Sequence, residues 1–190
     1  MARFEQAVLI ASTILGSWLA MQAVHESGHV LGARFTGARV TQVVLHPLEI
    51  SRTEVDDGLN PQPLVVVWAG PIVGVLAPLA LWGVAARVRF AGAFVLRFFA
   101  GFCLVANGLY LSVGSFGRVG DCGELLAHGA HLGQLWLFGA LTVPLGLWLW
   151  HGQGKHFGLG PAPQPLRPAV SYGALATCVL LVTLGLVVGR

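Results

Sequence analysis

Two histidines four residues apart, with a glutamate directly after the first, make His25-Glu26-Ser27-Gly28-His29 the segment of this chain best equipped for chemistry. On a helix, positions i and i+4 share one face about one turn apart, so both imidazoles can reach a single metal ion. The pair suits zinc, whose catalytic sites take three protein ligands and keep a fourth position for water. Glu26 then stands where a general base must stand, beside water made acidic by the ion, which is the division of labour that peptide hydrolysis needs. H-E-x-x-H alone is a short pattern of moderate specificity. Its setting sharpens it, because ionisable groups inside an apolar run are expensive unless they are paired, hydrated or bound to metal.

A third ligand must come from elsewhere in the chain. Asp121 is the first choice, since a carboxylate is an ordinary zinc donor and the nearby Gly120 and Gly123 let the backbone approach closely. Glu124, Cys122, His128, His131 and His46 remain open as alternatives. Each also has a plainer use in interfacial solvation or, for His128 and His131, in capping and solvent contact. Asp121 itself could simply cap Gly123-Glu124-Leu125-Leu126.

The elements that would position these groups are membrane helices. Of 190 residues, 55% are hydrophobic, and only 11 are Lys or Arg and 8 Asp or Glu, too few for an ordinary solvated surface. Apolar runs of membrane-crossing length are expected at 4–34, 64–86, 90–115, 132–150 and 169–188. The basic residues are scattered singly at the ends of these runs, as interfacial anchors are, and form no patch for nucleic acid. Arg97, inside the third run, is expected to snorkel. Cys103, Cys122 and Cys178 have no metal-ligand or disulfide spacing and are read as packing residues. The first run is too long for a signal peptide, and its motif lies within it, so it is expected to be retained.

Between the first two spans the pattern changes. Ala38 to Leu45 is rich in β-branched residues, and Leu48-Glu49-Ile50-Ser51 alternates after a break at His46-Pro47. Two short strands are expected there, followed by a turn-prone stretch from Glu54 to Gly58. Counting crossings places the end of span one, this strand segment, Ala69-Gly70-Pro71 and Asp121 on one side of the bilayer. Basic residues do not orient the chain: Arg3, Arg87, Arg89, Lys155 and Arg167 fall on one side, Arg34, Arg39, Arg52, Arg118 and Arg190 on the other.

With these motifs in order, the chain resembles the site-2 protease family of intramembrane zinc metalloproteases, in particular small members without extra soluble domains. His25-Glu26-Ser27-Gly28-His29 fits the family's H-E-x-G-H, Ala69-Gly70-Pro71 its A-G-P, and Asn107 with Asp121-Cys122-Gly123 its asparagine followed by the aspartate that completes the zinc site. The likeness runs from span one to about Leu126. Three features depart from the family pattern: Gly74 stands where an asparagine is common, Cys122 where a glycine is usual, and the gap between Asn107 and Asp121 is long.

The resemblance implies an all-α integral membrane protein of about five transmembrane helices, with a three-helix catalytic core and a short membrane-associated β-hairpin. It implies a single domain over 1–190, its core at 4–126 and accessory helices at 131–190. One Zn2+ per chain is expected on His25, His29 and Asp121, with Glu26 as base and Asn107 supporting substrate or transition state. The partner is a single-pass membrane protein cleaved in or near its transmembrane segment, an unwound strand of which could pair with the hairpin. The implied location is the plasma membrane, with the catalytic side toward the cytoplasm. No sequence feature specifies an oligomeric state. A zinc-binding scaffold of the same fold would not need Glu26. A metal transporter would place ligands on several spans near the midplane, where spans four and five offer almost none.

Overall fold

The structure, a computed structural model, describes residues 2–188; Arg190, counted above, lies outside them. In chain order the elements are α1 (Ala2–Thr36), β1 (Val40–Val44), β2 (Arg52–Val55), α2 (Pro63–Arg87), α3 (Ala93–Ser112), α4 (Asp121–Ala127), α5 (Leu132–Trp150) and α6 (Pro168–Val188), with short 3-10 turns between some of them. All of these helices except the seven-residue α4 are long and apolar enough to cross a membrane. The chain is an all-α, multi-pass membrane protein with one small sheet. Large apolar side chains such as Trp18, Phe35, Leu141, Trp148 and Leu180 point outward, which suits helices whose surrounding solvent is lipid.

Helix ends follow local chemistry. Pro63 opens α2, where its missing N–H is one the helix would leave unpaired anyway. At the start of α5 the His131 backbone N–H donates to the Gln134 side chain at 2.9 Å, so this histidine caps a helix. Arg97 sits in α3 with a guanidinium N–H donating to the His151 carbonyl at 3.3 Å.

Small residues set the helix packing, as they do where lipid removes the hydrophobic drive for association. The broadest interface joins α3 to α5, followed by α1 with α2 and α1 with α6. Gly101 and Gly146 bring the α3 and α5 backbones together so closely that a Cβ on either would meet the other's carbonyl oxygen, at 3.0 and 2.7 Å. Packing therefore continues from the expected core into the helices expected to be accessory. In the α1 and α2 interface, Gly28 lies against Ala69 and Gly70. Near the end of α6, a Cβ on Gly185 would lie 3.0 Å from the Leu45 carbonyl oxygen, which puts this end beside the hairpin loop.

The hairpin differs from expectation in its second strand. β1 pairs antiparallel with β2 in the register Val44↔Arg52, Val43↔Thr53, Gln42↔Glu54 and Val40↔Val55, with an irregularity between Val40 and Gln42. Leu48-Glu49-Ile50-Ser51, expected as a strand, belongs to the connection, while Glu54, expected in a turn, is in the ladder. The alternation misleads because it presumes one apolar core. Leu48 and Ile50 are 85% and 87% exposed at the tip of the connection, where no second strand stands to pair with them.

The α1 and α2 contact gives a paired prediction. In Gly28→Ala the new methyl meets the Ala69 carbonyl oxygen and Gly70, which should lower stability by about 1–3 kcal/mol. Gly83→Ala, in α2 with nothing within 4 Å, should leave stability unchanged or raise it by about 0.5–1 kcal/mol. Thermal unfolding of both variants in the same detergent checks the difference.

Candidate metal centre

His25 and His29 lie in α1 on the face turned toward α2 and α3, and both are buried, as is Glu26. The lock on each imidazole lies at its Nδ1. His29 Nδ1 donates to the Val66 carbonyl oxygen at 3.0 Å, one turn before Ala69-Gly70-Pro71. Gly70 supplies the space for that ring, since a Cβ there would strike His29 Cε1 and Nε2. Pro71 has no N–H for the Val67 carbonyl, which loosens this turn of α2.

His25 Nδ1 donates to Asn107 Oδ1 at 2.6 Å, and Asn107 Nδ2 donates to the Cys103 carbonyl at 2.9 Å. A carbonyl only accepts, so the second bond fixes which way the amide faces, and the first then fixes the imidazole tautomer. Asn107 thus has the geometry of a support for an imidazole ligand. Gly74 is the complement of this arrangement: a Cβ there would lie 2.9 Å from Asn107 Oδ1. The glycine that departs from the family pattern makes room for Asn107.

Asp121 reaches the same point from the first turn of α4. Its Oδ2 lies 2.8 Å from His25 Nε2 and 3.4 Å from His29 Nε2, and the two Nε2 atoms are 3.1 Å apart. Gly120 makes the approach possible. It adopts φ +61, and a Cβ on it would strike the Tyr110 hydroxyl. That hydroxyl accepts the Asp121 backbone N–H at 3.0 Å, and the Tyr110 ring stands edge-on to His25 with centroids 5.9 Å apart.

Neutral imidazoles whose Nδ1 protons are committed elsewhere present bare lone pairs at Nε2. In that state two lone pairs and a carboxylate oxygen would meet within 3.4 Å of one another, an arrangement of mutual repulsion that a cation relieves. A tetrahedral zinc with donors at roughly 2.0–2.1 Å places them roughly 3.3–3.4 Å apart, close to this triangle. Among the described residues, His25, His29 and Asp121 form the one group of histidine, cysteine and acidic side chains placed to hold a metal.

The other candidates lie elsewhere. Cys122 is packed with Leu111, Leu125 and Leu135, and its Sγ lies 3.1 Å from the Tyr110 carbonyl oxygen as donor. Burial pushes its thiol up to about 11, and it is outside the group of side chains that converge with the two histidines. It anchors α4 to α3. His128 Nδ1 is 2.8 Å from the Glu124 carbonyl oxygen, and both residues are exposed. His131 caps α5, and His46 lies in the hairpin connection, 3.8 Å from Glu49.

Sequence reasoning missed Thr53, whose Oγ1 lies 2.8 Å from Glu26 Oε2, as well as Tyr110 and the Val66 carbonyl. No pattern marks a carbonyl as an imidazole partner. Thr53 fell between the expected second strand, 48–51, and the turn-prone stretch from Glu54, so no pattern marked it. Compared with protein-family models, with curated proteins and with solved structures, the chain matches none.

Metal analysis of purified protein should find one zinc per chain, and Asp121→Ala or His25→Ala should remove most of it. Asn107→Leu should keep the donors but weaken zinc affinity by about 10- to 100-fold in competition with a chelator. Zinc lost from His46→Ala instead of Asp121→Ala would move the third ligand to the hairpin.

Proposed function

We propose that the chain is an intramembrane zinc metalloprotease of the site-2 protease type, cleaving a peptide bond in or beside the transmembrane helix of a single-pass membrane protein. The observation that carries this reading is Glu26. This residue is 4% exposed within a membrane helix, next in sequence to His25, and among the described residues it forms no ion pair. It is also outside the three-donor group. A carboxylate at membrane depth is costly, and neither ion pairing nor metal ligation explains its presence. A general base does.

His25, His29 and Asp121 would hold the ion. Zinc, when bound, supplies a Lewis acid that acidifies water and polarises a carbonyl. The chain's own residues do the rest. Glu26 takes a proton from the attacking water and returns it to the leaving amine. Asn107 and the Val66 carbonyl keep the imidazole tautomers that direct both Nε2 lone pairs inward. Tyr110 and Cys122 fix the first turn of α4, and with it the Asp121 carboxylate. His25, Glu26, His29 and Asn107 are buried among the helices, and a low-dielectric setting strengthens their polar interactions.

By the same resemblance, the whole chain would act as one membrane-embedded domain in the plasma membrane. Its α1 carboxyl end, hairpin and α4 would face the cytoplasm and its N-terminus the outside, with an extended substrate strand pairing on the hairpin.

Glu26→Gln should retain zinc and lose cleavage of a model membrane helix by at least about 100-fold. Stripping wild-type protein with a chelator should abolish cleavage, and zinc should restore it. Full activity in Glu26→Gln would remove Glu26 as the base. A zinc-loaded wild type that cleaves nothing across a broad panel of membrane helices would instead favour a metal-binding scaffold.

A further inference from the structure

The hairpin meets the catalytic motif through one side chain. Thr53 Oγ1 lies 2.8 Å from Glu26 Oε2 and 3.4 Å from the Glu26 carbonyl oxygen. A hydroxyl has one proton to give, and the nearer, charged oxygen is the stronger acceptor. Thr53 is brought there by strand register. Along β2, Arg52 and Glu54 are exposed and paired with each other at 2.9 Å, while Thr53 and Val55 turn inward. A slip of one residue would replace the hydroxyl with one of those charged side chains.

We propose that Thr53 is a positioning residue for Glu26, its hydroxyl holding one carboxylate oxygen so that the other is presented to the reacting water. The inference rests on the proteolytic reading. The last torsion of a glutamate is broad and close to two-fold, so burial alone does not select the orientation of the carboxylate plane. Among the described residues Thr53 makes the one side-chain hydrogen bond that Glu26 Oε2 receives. The donor belongs to a two-stranded sheet that packs on α1. Any displacement of β2 relative to α1 therefore moves the donor away from the base, and the state of the hairpin is transmitted to the reacting group. A positioning error near 1 Å can slow an enzyme by about 100-fold.

Thr53→Val keeps the shape and removes the hydroxyl, while Thr53→Ser keeps the hydroxyl. Thr41→Val is the control for general weakening of the hairpin, because Thr41 Oγ1 donates to the Glu54 carbonyl at 3.1 Å and does not touch Glu26. The full chain, loaded with zinc in detergent micelles, is assayed on a fluorescence-quenched transmembrane-helix peptide. In Thr53→Val, kcat should fall by about 10- to 100-fold, with KM and bound zinc unchanged. Thr53→Ser should recover most of the rate, and Thr41→Val should behave as wild type.

The infrared carboxylate band of Glu26, isolated by subtracting the Glu26→Gln spectrum, should shift in Thr53→Val and return in Thr53→Ser. An unchanged kcat in Thr53→Val, a Thr53→Ser as slow as Thr53→Val, or a Thr41→Val equally slow overturns the proposal. So does a carboxylate band that does not move. A wild type that cleaves no membrane helix removes the proteolytic reading, while the infrared band still decides whether the hydroxyl holds the carboxylate.

Discussion

Two imidazole nitrogens held 3.1 Å apart, both facing the same carboxylate oxygen, are the constraint to which the rest of this bundle answers. Left alone, rings one turn apart would rotate to relieve the contact. They are prevented by acceptors at their far nitrogens, the Val66 carbonyl from α2 and Asn107 from α3. The geometry of α1's motif is thus written partly into its two neighbours. The tight backbone approach at Gly28, Gly70 and Gly74 follows from the need to bring those acceptors within reach.

The carboxylate that completes the cluster is handled differently. Asp121 stands on a seven-residue helix too short to be stable by itself. Its position is borrowed from α3 through Tyr110, which binds its backbone N–H through the hydroxyl and takes the Cys122 thiol at the carbonyl. Two bonds from one residue of α3 to consecutive residues of α4 make a small rigid joint. Cys122, at a place where the resembled family has glycine, fills the buried side of that joint.

Much of this organisation was legible in the residues. Spans were readable because lipid demands long uninterrupted apolar runs, and Leu132–Trp150 is reproduced to the residue. His25, Glu26 and His29 were conspicuous because charge-bearing groups are rare at that depth. Asp121 was reached by counting crossings and noting its glycines, and the structure brings it to the two histidines. The hairpin was found, but its second strand lay four residues later than the alternation of Leu48 and Ile50 implied. In a membrane protein apolar side chains can face outward as readily as inward, so a period of two loses its meaning. Thr53 and Tyr110 were illegible for another reason. Thr53 acts through one side-chain contact to Glu26 and Tyr110 through two bonds to α4, across gaps of 11 or more residues, and isolated pairings of that kind leave no periodic trace.

The glycine seam between α3 and α5 bears on how far this architecture is modular. Gly101, Gly108, Gly139 and Gly146 create a surface in which backbones nearly touch, and Asn107 stands on the helix that carries half of it. A chain shortened to its motif-bearing portion would hand that seam to acyl tails, which are too mobile to fill a trough shaped for a fixed backbone. The helix holding the imidazole's partner would then lose its backing. The last third of the sequence, poor in reactive groups, is in this sense the mould against which the reactive part is cast.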